Sequence, residues 1–450
     1  MKPSRRVSRF FHLESKISHF FVVVGKMQYS IDQTRARIER MEDERQARRR
    51  AYQERKLERA EEEQRNLALG NPGDVDFIGL VRAWRQENVP TGPVQTMVSG
   101  TSTEQPKICI CVRKRPISEK EKSKLDHDSI TCISNSVWIH AAKLRVDGIT
   151  KYLDHSNFNF DHAFGENSST EDIYQNTVMP LVDYVLTTSG GRATVFAYGQ
   201  TGSGKTYTMG GIQRMVVEDL FMLMEGADDY GKNEDDFILR SSKTYVSVSF
   251  FELYGGKVVD LLNEKRKLQI YEDGKGEVVV SGLEEFEAQD ADQLFQLMER
   301  GNALRTTHAT DANDTSSRSH SVCQINLRSK NNSKLMGKLS LVDLAGSERG
   351  VDTKSNNRLR RAESAEINKS LLALKECIRA LDTTTRNQNN GAAHVPYRGS
   401  KLTMVLKDCF TSKLAKTTMI ATVSPGASSA DHSINTLRYA DRIKEKKVRR

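Results

Sequence analysis

The chain has 450 residues, 37% of them hydrophobic and 28% charged, with a formal net charge of +9 and a pI near 9.1. The apolar share is low for a chain long enough to hold one large domain with appendages or two domains, so a polar extended segment is expected beside an ordinary core. The positive balance points to an acidic partner surface, while six scattered cysteines without a C-x-x-C pair exclude a zinc ribbon or a disulfide framework and fit a reducing compartment.

In chain order, residues 1–30 read as a disordered leader. The run Phe20–Val24 follows a basic start, but it is short, interrupted by His19 and lacks a cleavage site. No run reaches transmembrane length, so a soluble intracellular protein is expected. Residues 31–69 are dominated by Arg and Glu, without Gly or Pro until the end, and carry opposite charges four apart, such as Glu44 and Arg48. Apolar residues are too sparse there for a heptad seam, which predicts a solvated single helix. Residues 70–106 form a neck and linker. A breaker cluster at Gly70–Gly73 precedes a short helix whose Phe77, Leu80, Val81 and Trp84 share one face, and Pro90 to Gln105 follows as a linker. From 107 to 446 the pattern turns globular, with strands at Ile108–Val112, Val137–Ile139, Thr244–Leu253, Gln324–Leu327 and Lys338–Val342 alternating with helices. Residues 447–450 are a basic tail. The alternation predicts an α/β fold whose sheet is covered on both faces.

The segment Ala193–Gly211 organises this domain. A short apolar strand stops at Gly199, and Gly199, Gln200, Thr201, Gly202, Ser203, Gly204, Lys205 and Thr206 fit G-x-x-x-x-G-K-[ST]. Positions without Cβ atoms let a triphosphate approach the backbone, and successive N–H groups then face one concavity at a helix N-terminus. Lys205 supplies a point charge for the β/γ-phosphates, and Thr206 a Mg²⁺ ligand. Two later stretches can sense the γ-phosphate. Leu339–Gly346 is an apolar strand ending in Asp343, which can reach Mg²⁺ through water, and Gly346, whose N–H can bond a γ-phosphate oxygen. The polar cluster Asn313–His320 offers hydroxyls to Mg²⁺ and to water; read alone, it is a turn.

Asn313-x-x-Ser316-Ser317-Arg318-Ser319-His320 and Asp343-Leu-Ala-Gly346-Ser347-Glu348 resemble switch I and switch II of the kinesin motor domain. Phe196 through Met209, Arg113-x-Arg115-Pro116 and Tyr397–Thr403 resemble the same family, over about Lys107 to Lys444. The resemblance implies a P-loop NTPase fold with a central, mostly parallel eight-stranded sheet flanked by helices, and ATP hydrolysis coupled to microtubules with ATP and Mg²⁺ as ligands. By the same resemblance, Arg113, Arg115 and Pro116 flank the adenine and Tyr207 stacks on it. Ser317 joins Thr206 and Asp343 around Mg²⁺, and Arg318 pairs with Glu348 to hold both switches shut around the attacking water.

Within the family, the charged helical neck and the loop Lys143-Leu-Arg145-Val146-Asp147 resemble the microtubule-depolymerising kinesin-13 motors, with Arg in place of Lys at 145. Charge is kept there while hydrogen-bond geometry changes. Lys375, Glu376 and Cys377 match that group's depolymerase triplet, although on residue types alone they are an ordinary solvated helix face. This likeness implies that Lys369, Lys375, Arg379, Arg398 and Lys401 meet acidic tubulin, while Arg145, Val146 and Asp147 reach the cleft between dimers and favour a curved protofilament. Thr383–Ala393 lacks the lysine run of some processive motors. No stalk precedes the end at Arg450, so any homodimer would form through regions outside this chain. The alternatives are a plus-end-directed translocating kinesin and a microtubule-end tether with a vestigial ATPase. No membrane and no specific nucleic acid are implied, although Lys444–Arg450 could bind phosphates nonspecifically. The expected location is the cytoplasmic cytoskeleton, on microtubules of a spindle, nucleus or axoneme.

Overall fold

The computed structural model describes residues 5–90, 107–229, 243–274, 276–306, 315–348, 358–386 and 395–444. The expected linker up to Gln105, Asn313 of switch I, the Asn-rich stretch past Arg386 and the basic tail lie outside them. The chain divides into two units, Met1–Val75 and Asp76–Arg450. The first is one helix, α1 (Arg5–Ala68). It begins earlier than the leader reading allows, and no proline interrupts it between Arg5 and Ala68. On its charged part Glu44 and Arg48 pair at 3.6 Å. Among the described residues no helix is long and apolar enough to cross a membrane.

The neck helix α2 (Val75–Asn88) precedes β1 (Ile108–Lys114), α3 (Glu119–Ser123), β2 (Ile130–Ile133), β3 (Ser136–Leu144), β4 (Lys151–Asn159) and β5 (His162–Phe164). Helices α4 (Thr170–Thr177) and α5 (Met179–Thr187) lead to β6 (Gly191–Tyr198), the strand that feeds the phosphate loop and α6 (Lys205–Asp229). Then come β7 (Thr244–Tyr254), β8 (Lys257–Asp260), β9 (Arg266–Glu272), β10 (Val278–Ser281), β11 (Phe286–Ala288), α7 (Ala291–Thr306), β12 (His320–Ser329) and β13 (Leu335–Asp343). The chain closes with α8 (Arg358–Arg386), α9 (Lys401–Val405), α10 (Lys407–Thr411), β14 (Ala415–Val423) and α11 (Ala430–Lys444).

The main sheet has 11 strands in the order β10-β9-β8-β7-β12-β13-β6-β14-β1-β5, with β11 on β7, and β2-β3-β4 form a separate sheet of three. This corrects the expectation of eight mostly parallel strands. Among the described residues only β13–β6, β6–β14, β14–β1 and β1–β5 pair in parallel. The other half is antiparallel: short turns fold β7 onto β8, β9 onto β10 and β12 onto β13, as at Gly255 and Gly256 with φ of 54° and 75°, while β12 reaches β7 through a long connection. One core packs helices α4–α7 on one face, and another packs α8–α11 and the small sheet on the opposite face. The parallel register sets Val342 beside Phe196 and Asp343 beside Ala197. Switch II thus leaves the sheet next to the phosphate loop, at the carboxyl end of the strands where ligands gather in such sheets.

Within the second unit α2 docks on the small sheet. Arg85 donates to Thr131 Oγ1 at 2.8 Å and to Asp128 and the Ile130 carbonyl at 2.9 Å. Burial opposes the charge of Asp128, yet Lys114 and Arg85 hold its carboxyl below the usual range. Trp84 lies 5.0 Å from Trp138, 4.5 Å from His140 and 5.5 Å from His155, centroid to centroid. The two histidines share one Nδ1–Nδ1 hydrogen bond of 2.8 Å. Burial, reinforced by the charges of His155 and Arg85, pushes His140 down to about 3, and burial lowers His155 as well. His140 is therefore neutral when docked, and a displaced or unfolded chain takes up the proton as pH falls below about 6.5. Acidification from about pH 7 to about pH 5 is expected to weaken this packing, by up to about 1.4 kcal/mol per pH unit for His140. Both tryptophans of the chain sit here, so the midpoint of a fluorescence-detected thermal transition should fall over that range; a flat midpoint would contradict it.

Candidate functional site

The phosphate loop owes its curvature to Gly202 and Gly204, at φ of 75° and 100°, where a side chain would be strained. Gly199 is needed for space, since a Cβ there would stand 2.3 Å from the Thr422 carbonyl. Ser203 Oγ donates to the Gln200 carbonyl at 2.8 Å, and Gln200 Nε2 to Ser424 Oγ at 3.1 Å, anchoring the loop to the end of β14. Lys205 is buried, its Nζ donating to the Gly199 and Gln200 carbonyls at 3.0 and 2.9 Å. Thr206 Oγ1 donates to Asp343 Oδ2 at 2.7 Å.

Arg113 and Tyr207 form one wall, the guanidinium carbon 5.2 Å from the ring centroid. Arg113 also donates to Thr208 Oγ1 and Thr170 Oγ1, each at 2.9 Å, and burial lowers its pKa. Tyr207 keeps an exposed ring. Arg115, expected beside the adenine, is held by the phosphate loop and by α3. Its Nε donates to the Gly202 carbonyl at 2.7 Å and its Nη atoms to Glu121 at 2.7 Å, which makes it a brace under the loop, with Pro116 accepting at 2.8 Å.

Asp343 is the meeting point of the site. Besides Thr206, its Oδ2 takes Nη1 of Arg305 at 2.5 Å, while Oδ1 is buried without a hydrogen-bond partner. Arg305 leaves α7 fully covered and also donates to the carbonyls of Ser316 and Ser319 at 3.0 and 2.9 Å. Sequence reading missed this residue, because nothing in its neighbourhood marks it and only the fold brings α7 under switch I. The orphaned Oδ1 and the Thr206 hydroxyl together form an all-oxygen donor set of the kind that suits a hydrated Mg²⁺. His320 ties switch II to α8: Nδ1 accepts from Ala345 N at 3.0 Å and Nε2 meets Ser370 Oγ at 2.8 Å. Burial, with Arg305 and Lys205 nearby, pushes it down to about 3.

The switches touch each other, but not through the expected ion pair. The Gly346 N–H, expected to face a γ-phosphate, donates to the Ser317 carbonyl at 2.7 Å. Glu348 accepts from Thr201 N at 3.0 Å and from the Thr201 hydroxyl, while Arg318 faces Glu363 of α8 at 3.8 Å. The Arg318–Glu348 pair is therefore absent, because two donors of the phosphate loop already satisfy Glu348.

Away from the nucleotide elements, Arg145, Val146 and Asp147 form the tip of the β3–β4 hairpin, with Val146 wholly exposed. Asp147 is exposed as well, and its carboxylate is tied within the loop. It accepts from the Ile149 and Thr150 amides at 2.9 and 2.8 Å and from the Thr150 hydroxyl, bonds that lower its pKa and stiffen the tip. On α8, Lys369 and Arg379 are exposed and Glu376 pairs with Arg379 at 2.9 Å. Cys377 is fully buried, its thiol pushed up to about 12 by burial, so it packs the core and cannot meet a filament. Lys375 is half-buried over the Tyr439 ring, its pKa lowered by burial and by Arg442 and Arg379. Arg398 is exposed and bonded to Glu272 at 2.7 Å, and Lys401 is exposed with its Nζ on the Gly256 carbonyl.

The profile of the kinesin motor domain matches residues 113–446. Over 418 residues, 93% of the chain, the sequence is 56% identical to the diatom spindle kinesin-1 of Cylindrotheca fusiformis, and the aligned part covers 63% of that relative's length. Neither comparison singles out the kinesin-13 group. With its phosphate loop, its two switch segments and the strand ends that bring them together, the chain belongs to the kinesin motor family.

Proposed function

We propose that the chain is an ATP-hydrolysing motor that acts on microtubules, and that the nucleotide between its phosphate loop and switches governs the grip of its cationic face on tubulin. The observation that carries this is Asp343, which joins the Thr206 hydroxyl of the phosphate loop to Arg305 and, through it, to the switch I backbone. In this reading Lys205 and the amides of Gly202 to Thr206 hold the phosphates, and Arg113 with Tyr207 holds the base. Thr206, Asp343 and Ser317 would hold Mg²⁺, which when bound neutralises charge on the β- and γ-oxygens. Closure moves the Gly346 amide from Ser317 to the γ-phosphate, and Glu348 from Thr201 to Arg318.

Two kinds of mechanical work fit this cycle. The likeness to a diatom spindle kinesin-1 favours a translocating motor on spindle microtubules. The stiff exposed tip Arg145–Asp147 favours the removal of tubulin from filament ends. Immobilised motor with ATP separates them. Steady one-directional gliding of intact stabilised filaments supports translocation, and shortening from the ends supports depolymerisation. Tubulin-stimulated phosphate release is expected in either case; if it were missing, the vestigial tether would be the correct reading.

A further inference from the structure

Arg318 has two carboxylates to choose between, and only one of them belongs to a switch. In this structure its Nη1 stands 3.8 Å from Glu363 Oε2 on α8, the helix that also carries Lys369 and Arg379. Glu363 is held in turn by the hydroxyl of Tyr254, at the end of β7, which donates to Oε1 at 2.7 Å. Both Arg318 and Glu363 are partly covered, with side-chain exposures of 31% and 24%. Burial and Glu363 together push the Tyr254 phenol up to about 12, so its proton stays in place as a donor at neutral pH. Glu348, the rival acceptor, is engaged with Thr201.

We propose that Glu363 is a positioning residue that holds Arg318 away from Glu348, with Tyr254 fixing its carboxylate, so that binding of a filament to α8 releases the arginine and allows the gate to close. The contact suits such a role. At 3.8 Å it is longer than a charge-assisted hydrogen bond and gives way to a small shift of the helix, whereas the 2.7 Å tyrosine bond keeps the carboxylate aimed. A cation shared between two acceptors on separately moving elements is a two-state device biased by whichever element moves.

The proposal rests on the motor reading and is tested on the same chain. Glu363→Gln keeps size and the tyrosine bond but removes the charge. Filament-free ATP turnover is expected to rise about two- to fivefold, the range set by the loss of one partly exposed ion pair. Turnover at saturating microtubules should change less than about twofold, so the stimulation ratio falls. Tyr254→Phe should act in the same direction but more weakly, and Glu363→Gln in a Glu348→Ala background should give no rise, since the freed arginine then has nowhere to go. A purely structural Glu363 would lower both rates and the melting temperature together, leaving the ratio intact, and that result, or an unchanged basal rate, overturns the proposal. Wild-type chain without any stimulated turnover would overturn the motor reading itself, and this proposal with it.

Discussion

Lys205→Ala is expected to cut kcat/KM for ATP by at least about 10²–10³-fold, the usual loss when one preorganised charge-stabilising donor is removed from a phosphoryl-transfer site. Its ammonium is buried and already turned into the loop, bonded to the Gly199 and Gln200 carbonyls. Among the described residues, the nearby arginines are engaged elsewhere: Arg113 lies against Tyr207, and Arg115 is committed to Glu121 and Gly202. The fold should survive, because the lost donor serves only two loop carbonyls, which water can reach once the side chain is cut back. Phosphate release with and without microtubules, beside a thermal melt, checks both halves of the expectation. A variant that turned over normally would show that the phosphates are held elsewhere.

Arg305→Ala should act on stability as well as on turnover. Arg305 is buried and makes four hydrogen bonds, to Asp343, to the Ser319 hydroxyl and to two switch I carbonyls. Truncation leaves a buried carboxylate without its cation, a change that costs about 3–5 kcal/mol in comparable pairs. That is a large part of the stability of an ordinary domain, and the melting temperature should drop by roughly 10 °C. The double variant Arg305→Ala, Asp343→Asn removes the stranded charge and should recover part of the loss. If the double variant were no better than the sum of the singles, the pair would not be coupled as described. Turnover should fall in both, because Ser316 and Ser319 lose the anchor that places switch I beside Asp343.

What could be read in the sequence was what lies close together along the chain. The phosphate loop, the end of β13 at Asp343 and the apolar face of α2 are contiguous patterns, and each fixes local geometry through glycine placement, strand burial or helical spacing. The direction of half the sheet was not legible, because β7, β12 and β13 alternate alike whether they pair in parallel or antiparallel; turn length decides it for β12 and β13, while β7 and β12 meet through a long connection. Arg305 was invisible for the opposite reason, since its partners arrive from switch I and β13. Cys377 read as part of a surface triplet, yet its position on α8 turns it inward while Arg379 stays outside. Glu348 shows a further limit. A mobile carboxylate binds whichever donors reach it first, and residue type does not say whether those belong to Arg318 or Thr201.

The seat of α2 has one more effect. Lys151, just below the tip of the β3–β4 hairpin, pairs with Asp76 at 2.7 Å and lies over the Phe77 ring, while Arg85 and Trp84 grip the other end of the same small sheet. The neck and the projecting finger are thus one stiff bracket, bolted at two points. Pushing on the fingertip tilts the neck, and pulling on the neck re-aims the fingertip, so substitutions at Asp76 or Trp84 would alter how Arg145 and Val146 meet a target that neither of them touches.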